Sequence, residues 1–484
     1  MDKKQLNKRI YIFIILIVLI GIFLPILKNI INSYNFQKTQ TSKSFFDDKD
    51  LKVPYEDREV PDYKNLKIVK VVEGLALDSN GHVWEKHKNA KGLYPVWKKD
   101  GSLLSEIIDI ESNGINFYAL SDDHTVWAWG SDMFGLVPVA KEFRNTSSEY
   151  REIEYPKKIV FKDGRTIQRV KKISASIDVC YLIMQDDTVY AFGSNEGNLQ
   201  FLGLPSKWTA DGSDFDGLGN LKELMSSYSY SPVSAIDVSP YPQKMPNISC
   251  IKDIFCYKTS NARSIYFLLN DGTSFIKGKD EKYCDFKKFL PEKILMTSNC
   301  DVSVALLSDK TALSWYCIPE NFSKRETNAY LFLGHKKNGN VNIPARVRNN
   351  ETGEIIQNID AISSYNTGLM ILKNGQIWRQ GSGPQNNGTD WIKKSSEKEI
   401  EHTPCLFHQK YSNGTPVDDA KGIFSDYESL YFISNAGILY AWGDASWLIE
   451  KAKDNKKDCY FPRKVTFHPY YDKEKNEWIS FTQE

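Results

Sequence analysis

The segment Leu439-Tyr440-Ala441-Trp442-Gly443 is an alternating strand that ends aromatic-x-aromatic-Gly, and it decides the fold because it recurs. Two further copies are Val126-Trp127-Ala128-Trp129-Gly130 and Val189-Tyr190-Ala191-Phe192-Gly193. A short polar turn precedes each copy: Asn435-Ala436-Gly437, Asp122-Asp123-His124 or Gln185-Asp186-Asp187. Such residues tolerate the positive φ of a tight turn, so each copy is predicted to be the second strand of a β-hairpin.

Four looser copies of this unit fill the intervals between the clear ones. Their turns are Ser79-Asn80-Gly81, Asn270-Asp271-Gly272, Ser308-Asp309-Lys310 and Lys373-Asn374-Gly375. A proline opens each of the seven units, at intervals of 53 to 76 residues: Pro95, Pro156, Pro232, Pro291, Pro344, Pro404 and Pro462. A single hairpin cannot bury its apolar face, whereas small sheets stacked around an axis bury each face against a neighbour. The repeat therefore predicts an all-β fold, a seven-bladed β-propeller over residues 61–484.

These motifs resemble those of the regulator of chromosome condensation repeat family, whose members are seven-bladed β-propellers. The resemblance runs from about Asn65 to the C-terminus and depends on the three clear copies. In this family one blade is usually completed by strands from both chain ends. The resemblance therefore implies that the C-terminal segments 461–465 and 478–481 pair with residues 67–71. The founding member acts on a small GTPase, but a shared fold does not transfer that activity.

The amino terminus carries an uncharged run, Ile10 to Leu27, after the basic residues Lys3, Lys4, Lys8 and Arg9. The run is long enough to cross a hydrocarbon core of about 30 Å, and its basic flank stays cytosolic. We predict a cytoplasmic tail over 1–9, a transmembrane signal anchor in membrane lipid over 10–31, and a propeller outside the cytoplasm. A cleaved signal peptide is the alternative. The apolar run continues to Ile31 without a small-x-small site, which favours the anchor.

Residues 32–60 are polar and of mixed charge, so they are predicted to form a flexible stalk. The chain contains 62 Lys and Arg and 61 Asp and Glu residues without a basic stripe, so nucleic acid is not an expected partner. Eight cysteines are scattered without a CxxC pair, which argues against zinc. Their even number permits disulfides in an exported domain, but their spacing does not give a connectivity.

The longest insertion is predicted over residues 203–250, and it carries the candidate ligand-binding residues. Tyrosine and tryptophan offer rigid, amphipathic contact area at a low entropic cost. The candidates for contact with a partner are Trp208, Tyr228, Tyr230 and Tyr241. The alternative is that these aromatic residues form a small core of the insertion itself.

Residues 212–223, within the same insertion, partly resemble a calcium-binding loop. The oxygen ligands and the central glycine match at four positions, Asp214, Asp216, Gly217 and Glu223. The first ligand position, however, is occupied by Gly212, and Asp-Gly clusters are common in polar loops. No metal ion or cofactor is therefore predicted, and an ion at this loop stays an open alternative.

No catalytic signature is visible in the sequence. The seven histidines lack HExxH spacing, and no serine lies in a G-x-S-x-G elbow. We therefore predict a protein that is not an enzyme: a membrane-anchored, extracytoplasmic propeller that binds a protein or a glycan through loops on one face. The alternative is a cell-surface carbohydrate-active hydrolase, in which carboxylates from several blades would converge with perturbed pKa values.

Overall fold

The computed structural model describes most of the propeller region and none of the residues before Val53. The described residues are 53–86, 91–131, 136–139, 152–176, 179–194, 238–245, 250–255, 264–278, 294–299, 302–316, 344–349, 352–365, 368–381, 407–426, 429–443, 448 and 461–484. All of them belong to one compact unit. No helix within these ranges has the length and apolar character needed to cross a bilayer. The predicted tail (1–9) and anchor (10–31) lie outside the described residues.

The strands follow one another along the chain as successive antiparallel sheets. Sheet 1 begins with β1 (Ile68–Val72), β2 (Leu75–Asp78), β3 (Val83–Lys86) and β4 (Leu93–Pro95). Sheet 2 contains β5 (Ile107–Ser112), β6 (Asn116–Ser121), β7 (Val126–Ser131) and β8 (Glu152–Lys158). Sheet 3 contains β9 (Val170–Ala175), β10 (Val179–Met184), β11 (Val189–Ser194) and β12 (Val238–Lys244). Sheet 4 contains β13 (Ile251–Phe255), β14 (Ser264–Leu269) and β15 (Ser274–Gly278).

The second half of the chain continues the same pattern. Sheet 5 contains β16 (Ile294–Asn299), β17 (Val302–Leu307), β18 (Ala312–Tyr316) and β19 (Ala345–Arg346). Sheet 6 contains β20 (Ala361–Tyr365), β21 (Gly368–Lys373), β22 (Gln376–Gly381) and β23 (Phe407–His408). Sheet 7 contains β24 (Ala420–Ser425), β25 (Ser429–Ser434), β26 (Leu439–Gly443) and β27 (Arg463–Lys464). The last strands are β28 (Thr466–Phe467), β29 (Tyr471–Asp472), β30 (Glu477–Trp478) and β31 (Phe481–Thr482).

The predicted polar turns join the second and third strands of the sheets. The third residue of every predicted turn has a positive φ: Gly81, His124, Asp187, Gly272, Lys310, Gly375 and Gly437. In four turns an aspartate Oδ1 accepts hydrogen bonds of 2.6 to 3.1 Å from the N–H and Oγ1 of the threonine two residues later: Asp123, Asp186, Asp271 and Asp309. The predicted hairpins are therefore confirmed, and these short side chains stabilise their turns.

The sheets are arranged as a ring around their first strands. The first strand of each sheet lies beside that of the next, and β24 lies beside β1. The turn of one sheet also accepts a backbone hydrogen bond from the start of the next, as from Ile107 N to Gly81 O (3.0 Å). The bond from Ile68 N to Gly437 O (2.8 Å) closes the ring. The predicted all-β propeller is confirmed.

Six sheets contain four or more strands, which makes six complete blades where the sequence predicts seven. Sheet 4 has three strands, and residues 279–293 after it lie outside the described residues. The repeated aromatic residues account for the core between sheets. The four tryptophans Trp84, Trp129, Trp315 and Trp442 are fully buried. Trp129 Nε1 donates to Glu85 Oε2 of the preceding sheet (2.9 Å), so the repeated tryptophans pack the blades together.

The C-terminal strands join the ring differently from the sequence prediction. Strand β27 pairs with β26 and completes sheet 7, whereas β28 pairs in parallel with β4 and antiparallel with β31. Strand β1, the predicted partner, pairs with β2. The prediction that C-terminal strands complete the first blade is therefore confirmed, whereas the predicted pairing with residues 67–71 is wrong. The reason is that the free edge of β1 faces the ring axis, so a further strand can add only at the outer edge of sheet 1.

The last residues of the predicted stalk also pack against sheet 1. The Arg58 guanidinium lies 3.5 Å from the ring centre of Tyr55 and 5.0 Å from that of Trp97, and Arg58 is buried. Trp97 Nε1 donates to Glu59 O (2.9 Å), and the Glu59 carboxylate accepts from Leu103 N (2.8 Å). The prediction of a flexible stalk over 32–60 is therefore wrong for residues 53–60, because this polar segment contains the aromatic and charged contacts that attach it.

Candidate functional site

The two faces of the ring differ in the connections that they carry. In a four-stranded antiparallel sheet, the turn between the second and third strands lies at one end, and the connection from the third to the fourth strand lies at the other. We name these ends the turn face and the insertion face. At the insertion face the third strand ends and the fourth strand begins, and the residues between these two strands are 87–92, 132–151, 195–237, 317–344, 382–406 and 444–462.

The sequence predicted one dominant insertion, whereas the structure has additional residues between the third and fourth strands of every sheet that has a fourth strand. The longest of these intervals is 195–237. The predicted insertion over 203–250 ends too late, because residues 238–244 form strand β12, which pairs with β11. Strand β12 contains two prolines, Pro240 and Pro242, at an irregularity in its pairing with β11. Proline is tolerated at the outer edge of a sheet because its missing N–H removes no hydrogen bond between strands.

Of the four predicted ligand-binding residues, the structure describes only Tyr241. Trp208, Tyr228 and Tyr230 lie outside the described residues, as does the calcium-like loop 212–223. Tyr241 is buried in β12, with 9% of its surface exposed.

Tyr241 also occupies a repeated position. Strand β12 pairs Gln243 with Ala191 and Ser239 with Gly193. Strand β8 of sheet 2 pairs Lys157 with Ala128 and Ile153 with Gly130, which places Tyr155 at the register position of Tyr241. Tyr155 is buried as well. Repetition at one buried position indicates packing, so the structure favours a packing role for Tyr241, and its predicted contact with a ligand stays a prediction.

The inner wall of the ring brings charged residues of four sheets together. The third residue of each inner strand is Lys70, Asp109, Lys172 and Asp253 in sheets 1 to 4. Lys70 Nζ lies 2.6 Å from Asp109 Oδ1 and 3.2 Å from Glu111 Oε1. Lys172 forms a salt bridge with Asp253. These ion pairs cross from sheet 1 to sheet 2 and from sheet 3 to sheet 4.

The surroundings shift the pKa values of two of these groups. The carboxylates of Glu111 and Asp109 raise the pKa of Lys70 above its usual range, although burial opposes this shift. Burial raises the pKa of Asp253, and Lys172 only partly offsets that effect. Lys70 is therefore a fixed cation at neutral pH. Asp253 is a carboxyl group whose ionisation the fold disfavours.

The remaining inner strands carry small or uncharged residues at the equivalent position. In β16 and β24 it is the third residue, Met296 or Gly422, and in sheet 6 it is Ala361, two residues after Ile359, whose N–H donates to the preceding turn. Serines connect these sheets instead. Ser298 Oγ and Ser364 Oγ are 3.1 Å apart, and Ser363 Oγ and Ser425 Oγ are 2.6 Å apart. One half of the inner wall is therefore joined by ion pairs and the other half by hydroxyl groups.

The described residues contain no cluster of three or more histidine, cysteine or acidic side chains able to hold a metal ion. Cys180 is buried in β10, as its apolar surroundings predict, and Cys250 is exposed. The other six cysteines lie outside the described residues, so the disulfide connectivity stays open.

The fold is similar to known propellers. The chain is 14% identical to human WBSCR16, with a TM-score of 0.50, over 78% of this chain and 85% of that one. It is 17% identical to Prp20p from Saccharomyces cerevisiae, a yeast RCC1, with a TM-score of 0.49, over 85% of this chain and 90% of that one. Both are propellers of the regulator of chromosome condensation type. The similarity to WBSCR16 confirms the predicted resemblance for the fold. Neither a protein-family model nor a curated protein sequence matches the chain.

Proposed function

We propose that this chain is a membrane-anchored, extracytoplasmic binding protein, a seven-bladed propeller that captures a protein ligand on its insertion face. In this proposal sheet 4 is the seventh blade, because its inner strand lies between those of sheets 3 and 5. The observation that carries the binding function is that the five longest intervals between described strands, each of 19 or more residues, all begin and end at one face of the ring. Loops that project from a rigid scaffold can vary in length at little cost in stability, and they commonly carry binding residues.

The membrane anchor in this proposal is the uncharged run within residues 10–31, with its basic flank in the cytoplasm. Protease added to intact cells should then degrade the propeller and leave a membrane-bound fragment. Protection of the whole chain would contradict the topology. Release of a mature fragment into the medium would favour the cleaved signal peptide.

Replacing residues 206–230 by a short Gly-Ser linker tests the binding function. Bait prepared from the full chain should capture a specific protein from envelope extracts, and the linker variant should lose it while its melting temperature stays unchanged. The matched control is the double substitution D163S/R165S on the turn face, where the two side chains pair with each other (2.6 Å) in an exposed turn. If the linker variant captures the same protein as the unsubstituted chain, residues 206–230 are not the contact surface.

The same experiment separates the two readings of the remaining aromatic candidates. Substituting Trp208, Tyr228 and Tyr230 by alanine should abolish capture without changing the melting temperature if these side chains contact the ligand. A large fall in melting temperature would show that they form a core within the insertion. Y241A should behave differently from both, since its buried position predicts destabilisation by about 3 kcal/mol without a specific effect on capture.

A carbohydrate-active hydrolase is the second candidate, and one observation favours it. Carboxylates of sheets 2 and 4 lie on the inner wall, and Asp253 has the raised pKa that a general acid needs. Lysines of the adjoining sheets pair with these carboxylates, which favours a structural function instead. The test is whether the full chain hydrolyses cell-surface glycans. Hydrolysis that is lost in D253N would support the hydrolase.

A further inference from the structure

The inner strands share a β-bulge at their second residue. In six sheets the pairing register skips this residue, for example between Ile68 and Lys70 and between Ile107 and Asp109. The skipped residues are Val69, Ile108, Lys171, Lys252, Leu295 and Lys421. A bulge re-aims its extra side chain, and all six residues are exposed, although the residues before them are buried. We name these six residues the bulge ring.

The bulge ring lies on the turn face, close to the ring axis. The residue before each bulge donates its N–H to the hairpin turn of the preceding sheet in most junctions, as in Val170 N to His124 O (3.0 Å). The bulge residues therefore encircle the axis just inside the hairpin turns. They lie on the face opposite to the long connections, so they form a surface separate from the one that carries the proposed function.

The composition of the bulge ring is unusual for a solvated surface. Val69, Ile108 and Leu295 are 50%, 52% and 38% exposed. They are three of the four large aliphatic residues with high exposure among the described residues, and the fourth is Val60. Their recurrence at one register position in different sheets distinguishes them from scattered exposed side chains, which need no explanation.

The other three members of the ring are cations. Lys171 Nζ lies 2.9 Å from Asp187 Oδ1 in an exposed pair. Lys252 and Lys421 form no ion pair with any described residue. Asp360 takes the equivalent position in sheet 6, and two further exposed carboxylates lie beside the ring: Asp122 in a hairpin turn and Glu106 directly before β5. These carboxylates would repel a continuous polyanion, whereas isolated carboxylates could reach the ring lysines.

We propose that the bulge ring is a docking surface for a protein segment that presents carboxylates interspersed with aliphatic side chains. The aliphatic residues of such a segment would cover Val69, Ile108 and Leu295, and its carboxylates would pair with Lys252 and Lys421. Charge complementarity selects this occupant over a basic or purely apolar segment, since either would leave the lysines without counter-charges. A shallow surface of this size fits a short segment and a moderate affinity.

Fluorescence anisotropy of a labelled peptide of alternating leucine and glutamate tests this proposal on the detergent-solubilised full chain. The peptide should bind with a dissociation constant of about micromolar order, and the same peptide with lysine in place of glutamate should not bind. V69T/I108T should weaken binding at least tenfold, since threonine keeps the β-branched shape and removes the apolar surface. K252E/K421E should weaken it by more.

Two controls make the outcome decisive. K99E, which changes an exposed lysine outside the bulge ring, should bind the peptide as the unsubstituted chain does, and all variants should keep its melting temperature. Replacing residues 206–230 should leave peptide binding unchanged, so failure of this proposal is distinguishable from failure of the proposed function. Equal binding by V69T/I108T or by the lysine peptide would overturn the proposal. So would tighter binding of single-stranded DNA that is lost only in K252E/K421E, because that would show a polyanion site.

Discussion

Sheets 1 and 4 have the same inner strand and very different outer edges. Strands β1 and β13 share one order of buried, exposed and half-buried residues, and each contributes one residue to an ion pair with a neighbouring sheet. Sheet 1 extends to six strands, and residues 53–63 pack against its edge, whereas the described part of sheet 4 has three strands and is followed by residues 279–293, which lie outside the described residues. The difference teaches that the inner strand and its hairpin place a sheet in the ring, while the outer edge is free to vary.

The extra strands of sheet 1 are held by aromatic contacts between the C-terminal segment and residues near the start of the ring. Phe467 of β28 packs edge-on against the buried Trp84 (5.2 Å between ring centres), and Tyr94 stacks on His468 (4.6 Å). Phe481 packs against Tyr63 (5.3 Å). The chain also passes from β27 of sheet 7 through Val465 directly into β28 of sheet 1, so the C-terminal strands tie the last sheet of the ring to the first one.

The largest expected effect comes from removing that reinforcement. Deleting residues 466–484 removes β28 and β31 and exposes the edge of β4 and the face of Trp84. We expect a loss of more than about 5 kcal/mol in the free energy of unfolding, with aggregation and a broadened thermal transition. Calorimetry and light scattering measure both. A truncated chain that melts like the full chain would show that the ring closes without sheet 1's outer strands.

Substituting the inner lysines compares the ion pairs that join sheets 1 and 4 to their neighbours. K70M leaves Asp109 and Glu111 without their cation, whereas K172M leaves only Asp253. We expect K70M to cost about 3 kcal/mol of unfolding free energy and K172M clearly less, because a half-buried carboxylate without a partner is costly. Chemical denaturation measures both values. If K172M lowers the free energy of unfolding more than K70M does, this expectation is wrong.

The pH dependence of K70M follows from the raised pKa of Lys70. The stability that this lysine contributes is fully present below its ordinary pKa of 10.5 and is lost as the pH rises through the higher pKa of the folded state. The difference between K70M and the unsubstituted chain should therefore be constant around neutral pH and decrease above about pH 10.5. A difference that instead grows above this pH would contradict the assignment.

A smaller effect is expected at the junction of sheets 7 and 1, where the side chain of Gln483 forms hydrogen bonds to the backbone on both sides. Gln483 Oε1 accepts from Leu439 N (2.8 Å), and Nε2 donates to Leu66 O (2.8 Å) and Gly437 O (2.9 Å). Gln483 is buried, so Q483A should cost about 2 kcal/mol of unfolding free energy. T482A, at the exposed neighbouring residue, is the control and should change it little. Equal melting temperatures for the two variants would show that these bonds do not stabilise the closure.

The smallest expected effect is at sheet 4. Because burial raises the pKa of Asp253, the folded state favours its protonated form, and stability falls as the pH rises from about 3.8 through the raised pKa. D253N should remove this decrease and change the unfolding free energy at neutral pH by less than about 1 kcal/mol, since Lys172 keeps contact with water. Denaturation midpoints across this pH range measure the effect. An unchanged pH profile in D253N would contradict it.

Local patterns predicted the hairpins correctly, and the family resemblance implied that C-terminal strands complete the first blade, but neither gave the strand with which they pair. The turns were predictable because Gly, Asn and Asp adopt positive φ, and His124 and Lys310 were found at the same place by repetition. The packing position of Tyr241 could also have been found, because Tyr155-Pro156 and Tyr241-Pro242 repeat one dipeptide in the sequence.

The sequence by itself determined the propeller, because hairpin signals and aromatic endings are local features that recur whenever each unit must bury the same face. Only the tertiary structure decided which edge receives β28, that Gln483 bridges sheets 7 and 1, and that Val69 and Ile108 are exposed. Strand alternation cannot show a bulge, since the extra residue is defined by its pairing with another strand. Contacts between residues hundreds of positions apart depend on the complete ring, and no local pattern contains them.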